Sequence, residues 1–320
     1  MAVTTAPSKP APAAGPATQQ KSRWRTTRER PSLQRQAVLQ AICLLILLTV
    51  MFPIIWVFSV SLDPLSRSRP EGLSIIPEGA SFDAYARVLR QPTNNAIDFL
   101  GLSLNSLKIA IGSSLISVGI GVGAAYAFSR LRFRGRATLM LVILGVLMLP
   151  PVATLTPLFV MLNKVQLDLP LLGAFNLRNS LLGVGLAVIS GLLPFAIWNL
   201  KGYLDTIPRE LEEAASVDVA TLNQTFIKII LPLAMPALAV TAFLGFVAGW
   251  TEFYVARQFL NQASDQTLAL ALNAMVGQYT TTPWSMFSAF AIMFAVPPAV
   301  VYLLAQRYIT SGLAIGGVKG

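Results

Sequence analysis

Residues 37–61 read AVLQAICLLILLTVMFPIIWVFSVS, a run without one charged side chain. A helix rises ~1.5 Å per residue and the hydrocarbon core of a bilayer is ~30 Å thick, so about 20 such residues cross it. Lipid offers no partner to unpaired peptide groups, so a run of this length spans as a helix. Five further stretches have the same character: 104–128, 137–162, 179–200, 229–251 and 283–306. Of the six, 104–128 alone holds a charge, Lys108, close enough to an end for its ammonium to reach the interface. The fold class this predicts is an all-α integral membrane protein with six transmembrane helices.

The composition agrees. Hydrophobic residues make up 54% of the 320 and charged residues 12%, where a soluble domain carries roughly 25% charge. The net charge of +10 points to membrane orientation rather than nucleic acid. Its basic residues gather before the first span, at Lys9, Lys21, Arg23, Arg25, Arg28, Arg30 and Arg35, and in the 129–136 loop, at Arg130, Arg132, Arg134 and Arg136. Both segments fall on one side if the spans alternate, which puts both termini in the cytoplasm. The same basic segment has a sharper reading as a binder of anionic lipid. Residues 1–36 are expected to form a disordered basic tail, 37–306 the six-helix transmembrane domain and 307–320 a cytoplasmic tail.

The chain has no histidine and one cysteine, Cys43, inside an apolar run. Ser–His and Cys–His nucleophile pairs, His-based zinc sites and an internal disulfide are thereby excluded. No catalytic, metal or cofactor-binding residue is expected. The prolines within spans favour kinks, and Pro150, Pro151 and Pro157, within two turns, are the best candidates for a hinge or an unwound segment.

The 201–228 loop is cytoplasmic by alternation, yet Lys201, Arg209 and Lys228 face Asp205, Glu210, Glu212, Glu213 and Asp218. An acidic loop on that side requires a cause other than topology. Pro208 suits a first helical turn, and the glutamates sit where the helix dipole is positive. Leu211, Ala214 and Ala215 share one face, small enough for another backbone to approach. A short docking helix over about 208–218 follows, with Ala214 and Ala215 outward.

These residues resemble a known family. Permeases of binding-protein-dependent ABC importers carry an EAA loop of the form Glu-Ala-Ala-x-x-Asp-Gly-Ala, then Phe, then Ile-x-Leu-Pro. Here it stands as Glu213, Ala214, Ala215, Ser216, Val217, Asp218, Val219, Ala220, then Phe226, Ile229 or Ile230, Leu231 and Pro232. The family's usual glycine is Val219. A β-branched residue is costly at positive φ, so Val219 is expected to keep negative φ and to extend or tighten the helix, with Asp218 or Thr221 bonding the backbone. Further stretches are similar to the MalG type within that family: Ala125–Arg130 with Phe133-Arg134-Gly135, Lys201-Gly202-Tyr203, Trp250-Thr251-Glu252, Thr267-Leu268-Ala269, Leu303–Arg307, and the ending Gly312-Leu313 then Gly316–Gly320. The similarity covers roughly residues 40–320.

The resemblance implies a subunit of a bacterial inner-membrane sugar importer, maltose or maltodextrin first, with trehalose or another oligosaccharide as the alternative. It implies four kinds of partner: a MalF-like second permease, two ATP-binding subunits, an extracytoplasmic sugar-binding protein and the lipid bilayer. The ATP is bound by the partner subunits, and no nucleic acid is implied. Carried over by position, Glu213, Ala214, Ala215, Asp218, Val219 and Ala220 couple to the ATPase. Gly316, Gly317, Val318 and Lys319 of the C-terminal tail reach its interface. The residues agree on one point: there is no phosphate-binding loop, since Gly312 and Gly317 have the glycine spacing but Val318 follows where lysine is required.

Two alternatives stay open at this level, a self-contained secondary transporter and an anchor without a transport role. Nearly charge-free spans and the absence of a clear inverted repeat speak against the first, and neither requires the acidic loop. Trp198, Asn199, Trp250, Glu252 and Tyr254 are candidates for a polar pathway, although interfacial aromatics explain them as well; no sugar-binding residue is assigned. The 252–282 loop, with Asn261, Gln262, Asn273 and Gln278, is expected to face the binding protein.

Overall fold

The computed structural model describes residues 32–66, 75–169, 173–276 and 282–316, and the side chains of these apart from 166–175 and 310–316. The basic residues from Lys9 to Arg30, together with Arg67, Arg69, Glu71, Gln278 and Gly317–Gly320, lie outside the described residues. Two units are distinguished, residues 1–51 and residues 52–320.

The first span is the helix α1, Leu33–Ser61, which continues unbroken through Pro53. It begins four residues before the apolar run, so Arg35 sits on its first turn. The second unit is built on α3, Phe99–Arg130, preceded by the short α2, Asp83–Arg90. Asp98 caps α3 by accepting the Gly101 amide at 2.8 Å. Then follow α4 (Arg136–Leu147), α5 (Pro151–Lys164), an antiparallel pair of four-residue strands, β1 (Gln166–Leu169) and β2 (Gly173–Asn176), and α6 (Leu181–Leu204). The C-terminal half holds α7 (Glu210–Val217), α8 (Leu222–Thr225), a π turn (Phe226–Ile230), α9 (Leu231–Leu233), α10 (Met235–Trp250), α11 (Tyr254–Phe259), α12 (Leu268–Ala274) and α13 (Trp284–Gly316).

Among the described residues five helical segments are long and apolar enough to cross a membrane, with α10 and α11 together supplying one of them, and six if the bent pair α4 and α5 counts as one span. The expected third span, 137–162, is instead the pair α4 and α5, bent by 101° at their break. Pro150 is extended (φ −65°, ψ 129°) because Pro151 follows it and excludes the helical region. Pro53, Pro157, Pro194 and the pair Pro297–Pro298 all lie inside continuous helices. The two proline pairs differ in outcome: α13 continues through Pro297–Pro298, whereas the chain breaks at Pro150–Pro151 between α4, which has no buried residue, and α5, which has only Leu162. The helix of the sixth span, α13, continues to Gly316, so the first ten residues assigned to the C-terminal tail are helical.

Small residues bring the helices to α3. A Cβ on Gly249 of α10 would lie 2.7 Å from the Ala110 Cα, one on Gly245 3.2 Å from the Ser114 Cα, and one on Gly121 3.0 Å from the Ala196 Cβ of α6. Between membrane helices there is little hydrophobic drive, so close backbone packing and buried hydrogen bonds supply the association. Ser114 Oγ donates to the Ala242 carbonyl at 2.6 Å, and Asn199 Nδ2 to Thr241 Oγ1 at 2.9 Å.

Three apolar clusters lie along α3. One joins its N-terminal half to α2, α10, α12 and α13 through Leu102, Ala110, Trp250, Leu268 and Phe290. A second joins Ile109 to α5, α6 and α11. The third, Val122, Ala125, Leu200, Leu204, Ile207 and Ile230, closes its C-terminal end.

Candidate functional site

The acidic loop sits at this C-terminal end, held from both sides. The helix predicted over about 208–218 is α7, Glu210–Val217, with Pro208 two residues before it and Arg209 at its N-cap position. Glu210, Glu212 and Glu213 occupy its first turn, where backbone amides lack carbonyl partners and negative charge is favoured.

The surplus of acid has a structural cause. Arg130, the last residue of α3, donates from one terminal nitrogen to the Ile207 carbonyl at 2.8 Å and forms an ion pair with Glu212 through Nε. The other Glu212 oxygen accepts from Tyr126 Oη at 3.2 Å. Ser129 donates to Asp205 at 2.6 Å, Lys201 bonds the second Asp205 oxygen at 2.5 Å, and Arg209 donates to the Ser129 carbonyl at 3.3 Å. Burial raises the pKa of the Asp205 carboxyl. The hydrogen bonds from Lys201 and Ser129, with the charges of Lys201 and Arg136, outweigh it and hold the group below its usual value. Asp205 and Glu212 are thus counter-charges to the basic ends of α3 and α6.

Two expectations for α7 are corrected. Ala214 is exposed as expected, but Ala215 is turned inward and buried, 6% exposed. The outward surface comprises Leu211, Glu213, Ala214, Val217, Asp218 and Val219, with Ala220 half-buried. Val219 has φ +59°, not the negative value expected. The reason lies in how α7 ends. The Ala220 amide reaches back to the Ala215 carbonyl at 3.0 Å and the Val219 amide to Ser216 at 3.1 Å, the paired bonds of a Schellman motif. That motif needs its middle residue left-handed. Two otherwise unpaired carbonyls are satisfied, and Val219 bears the strain with its side chain 87% exposed. Thr221 does bond the backbone, but to start α8: its Oγ1 accepts the Gln224 amide at 3.3 Å while Gln224 Oε1 accepts the Thr221 amide at 2.9 Å.

Beyond α8 the backbone takes a π turn, with the Leu231 amide bonded to the Phe226 carbonyl. Phe226 packs on Tyr126 with ring centroids 4.8 Å apart. Of the tail residues, Gly316 ends α13, while Gly317, Val318 and Lys319 lie outside the described residues.

The pathway candidates separate. Trp198 and Asn199 line a cleft of ≈ 720 Å³ with Met140, Tyr203 and Val240. Trp250 is 1% exposed, stacks on Phe246 and donates to the Phe294 carbonyl at 3.0 Å, so it belongs to the core. Glu252 accepts the Val255 amide at 2.7 Å and opens α11, and Tyr254 is exposed. The 252–282 loop is tied into the bundle at its middle. Asn105 of α3 donates to the Ser264 and Gln266 carbonyls at 2.7 and 3.0 Å, the Leu268 amide donates to Ser106 at 2.9 Å, and Asn95 to Gln266 at 2.8 Å. Sequence reading missed Asn95, Asn105, Tyr126, Ser129 and Arg130 as positioning residues. The acidic surplus of the 201–228 loop was the signal for the last three.

Apolar helices packed through small residues, with one acidic helix held at their end, define a polytopic helical membrane protein. A family model described as "Binding-protein-dependent transport system inner membrane component" matches residues 117–314. The chain is 35% identical over 294 residues to the maltose/maltodextrin transport system permease protein MalG of Escherichia coli (strain K12), covering 89% of this chain and 96% of that protein. It is 33% identical over 293 residues to the trehalose/maltose transport system permease protein MalG of Thermococcus litoralis, covering 89% and 99%. In structure it is similar to a bacterial ABC transporter involved in the import of the acidic polysaccharide alginate, with TM-score 0.68, 23% identity and coverage of 86% and 96%. A second alginate transporter structure, in complex with an alginate pentasaccharide-bound periplasmic protein, matches with TM-score 0.58 and 14% identity over 86% of this chain and 94% of that one. The chain belongs to the binding-protein-dependent transport system inner membrane component family, as a permease of the MalG type.

Proposed function

We propose that this chain forms half of the translocation pathway of an ATP-driven importer that receives maltose or maltodextrins from an extracytoplasmic binding protein. A MalF-like permease supplies the other half. Two ATP-binding subunits dock below, one of them on α7, hydrolyse the ATP and move the permeases by closing on each other; the chain itself carries no cofactor. Both termini and the 201–228 loop then face the cytoplasm. The observation that carries the reading is α7: a short helix with an acidic first turn and an exposed edge of Ala214, Val217 and Val219, in a chain 35% identical to a maltose/maltodextrin permease.

The test is reconstitution in liposomes of this chain with its second permease, its ATP-binding subunits and its binding protein. Labelled maltotriose should enter only with ATP and binding protein present. Uptake of trehalose with exclusion of maltotriose would reassign the sugar, and uptake by this chain alone without ATP would refute the importer. Docking is tested separately by Ala214→Trp, which places a bulky side chain on the exposed edge while leaving the buried face intact. Binding-protein-stimulated ATP hydrolysis should be lost with membrane insertion unchanged.

A further inference from the structure

Arg130 is 7% exposed and Glu212 18%. An ion pair so withdrawn from water is costly to form and contributes little net stability, but breaking it leaves an unpaired buried charge. Its value here is geometric. Tyr126 and Arg130 stand one turn apart on α3 and both reach the same carboxylate on α7. Arg130 also takes the Ile207 carbonyl in the turn that leads into α7, and Arg209 returns a bond to the end of α3. The other connection of α7 runs through the Val219 turn, α8 and the π turn Phe226–Ile230, followed in α9 by Pro232, which has no amide proton to bond back. One side of α7 is therefore fixed to α3 by charge-assisted side-chain bonds, and the other leaves through turns whose bonds close within the loop.

We propose that Arg130 is a positioning residue for coupling: with Tyr126 and Glu212 it makes α7 a rigid extension of α3, so that displacement of the α7 edge is delivered to α3. From α3 it passes to α6 and α10, whose backbones lie against it at Gly121–Ala196, Gly245–Ser114 and Gly249–Ala110. This inference rests on the docking reading above. It assigns the α7–α3 side-chain bond, rather than the covalent path through the loop, as the route of transmission.

The assembled importer in liposomes tests it through the ratio of binding-protein-stimulated to basal ATP hydrolysis per assembled complex. Arg130→Met and Glu212→Met should each lower that ratio by at least about tenfold, since each strands one buried charge. The double variant should be no worse than either single one, because both remove the same interaction. Losses that multiply in the double variant would overturn the clamp. So would a wild-type ratio in Arg130→Met accompanied only by a lower melting temperature or yield, the signature of a purely structural residue. If Arg130→Met fails to assemble, Tyr126→Phe decides. It keeps the ring against Phe226 and loses only the hydroxyl, so a fall of roughly two- to tenfold supports the clamp and an unchanged ratio refutes it. Ala214→Trp separates the two levels. Loss of coupling there with a wild-type ratio in Arg130→Met removes the clamp alone; a wild-type ratio in Ala214→Trp removes the docking reading and the clamp with it.

Discussion

Replacing Val219 with glycine isolates the strain at the end of α7. A β-branched residue held at φ +59° costs on the order of 1–3 kcal/mol. Glycine relieves that but adds unfolded-state entropy of about 0.4–1 kcal/mol. The Val219 side chain is 87% exposed, so its removal forfeits almost no burial. The remainder is a gain of roughly 1 kcal/mol in the local closing equilibrium, about fivefold at 1.36 kcal/mol per decade. The amide to watch is that of Ala220, bonded to the Ala215 carbonyl. In hydrogen exchange its protection factor, corrected for the new neighbour, should rise about fivefold, and Val219→Ala should fall between the two. Unchanged or reduced protection in Val219→Gly would show that the turn carries no strain, and the account of how α7 ends would fail.

Four further outcomes are expected. Gly183→Ala places a Cβ 1.9 Å from the Leu177 carbonyl oxygen, so the Ser180 cap of α6 must open; the purified protein should lose several degrees of melting temperature, and a wild-type value would contradict the packing. Gly249→Ala meets the Ala110 Cα at 2.7 Å and should cost about 1–3 kcal/mol by denaturant titration. Deleting residues 266–281 removes Leu268, Leu270, Ala271 and Met275 from the core, so it should abolish folding rather than uncouple the binding protein alone; a stably inserted deletion would disprove this. The Asp205 carboxyl has a lowered folded pKa, so its stabilising effect is present above the ordinary carboxylate range and is lost as pH falls through the folded value. Exchange protection of residues 205–217 should therefore fall in acid below about pH 4, and Asp205→Asn should flatten that dependence.

The apolar runs, the helical class and the place of the acidic loop were legible because each depends on local chemistry. A charge-free run of about 20 residues has few alternatives in a bilayer. The position of α7 followed from its own residues, and Pro150–Pro151 marked the place where the third span breaks. What could not be read is whatever depends on which neighbour is present. Pro297–Pro298 is the same dipeptide, yet α13 runs through it unbroken. Ala214 and Ala215 are identical in type, and only the approach of the rest of the loop decides which is buried.

Val219 illustrates the division most sharply. Its β-branch, taken alone, argues for negative φ, and that local preference is real. Tertiary structure overrides it by a small margin, because the chain must turn from α7 toward α8 and Phe226 must come back against Tyr126 at the foot of α3. The amino-acid sequence by itself determined that this chain lives in lipid as a helical bundle with one acidic loop. The tertiary structure decided which carboxylate of that loop meets Arg130, which edge of α7 is left open, and where the backbone accepts strain. Those outcomes depend on distances between residues far apart in sequence, such as Tyr126 and Glu212, that no local propensity encodes.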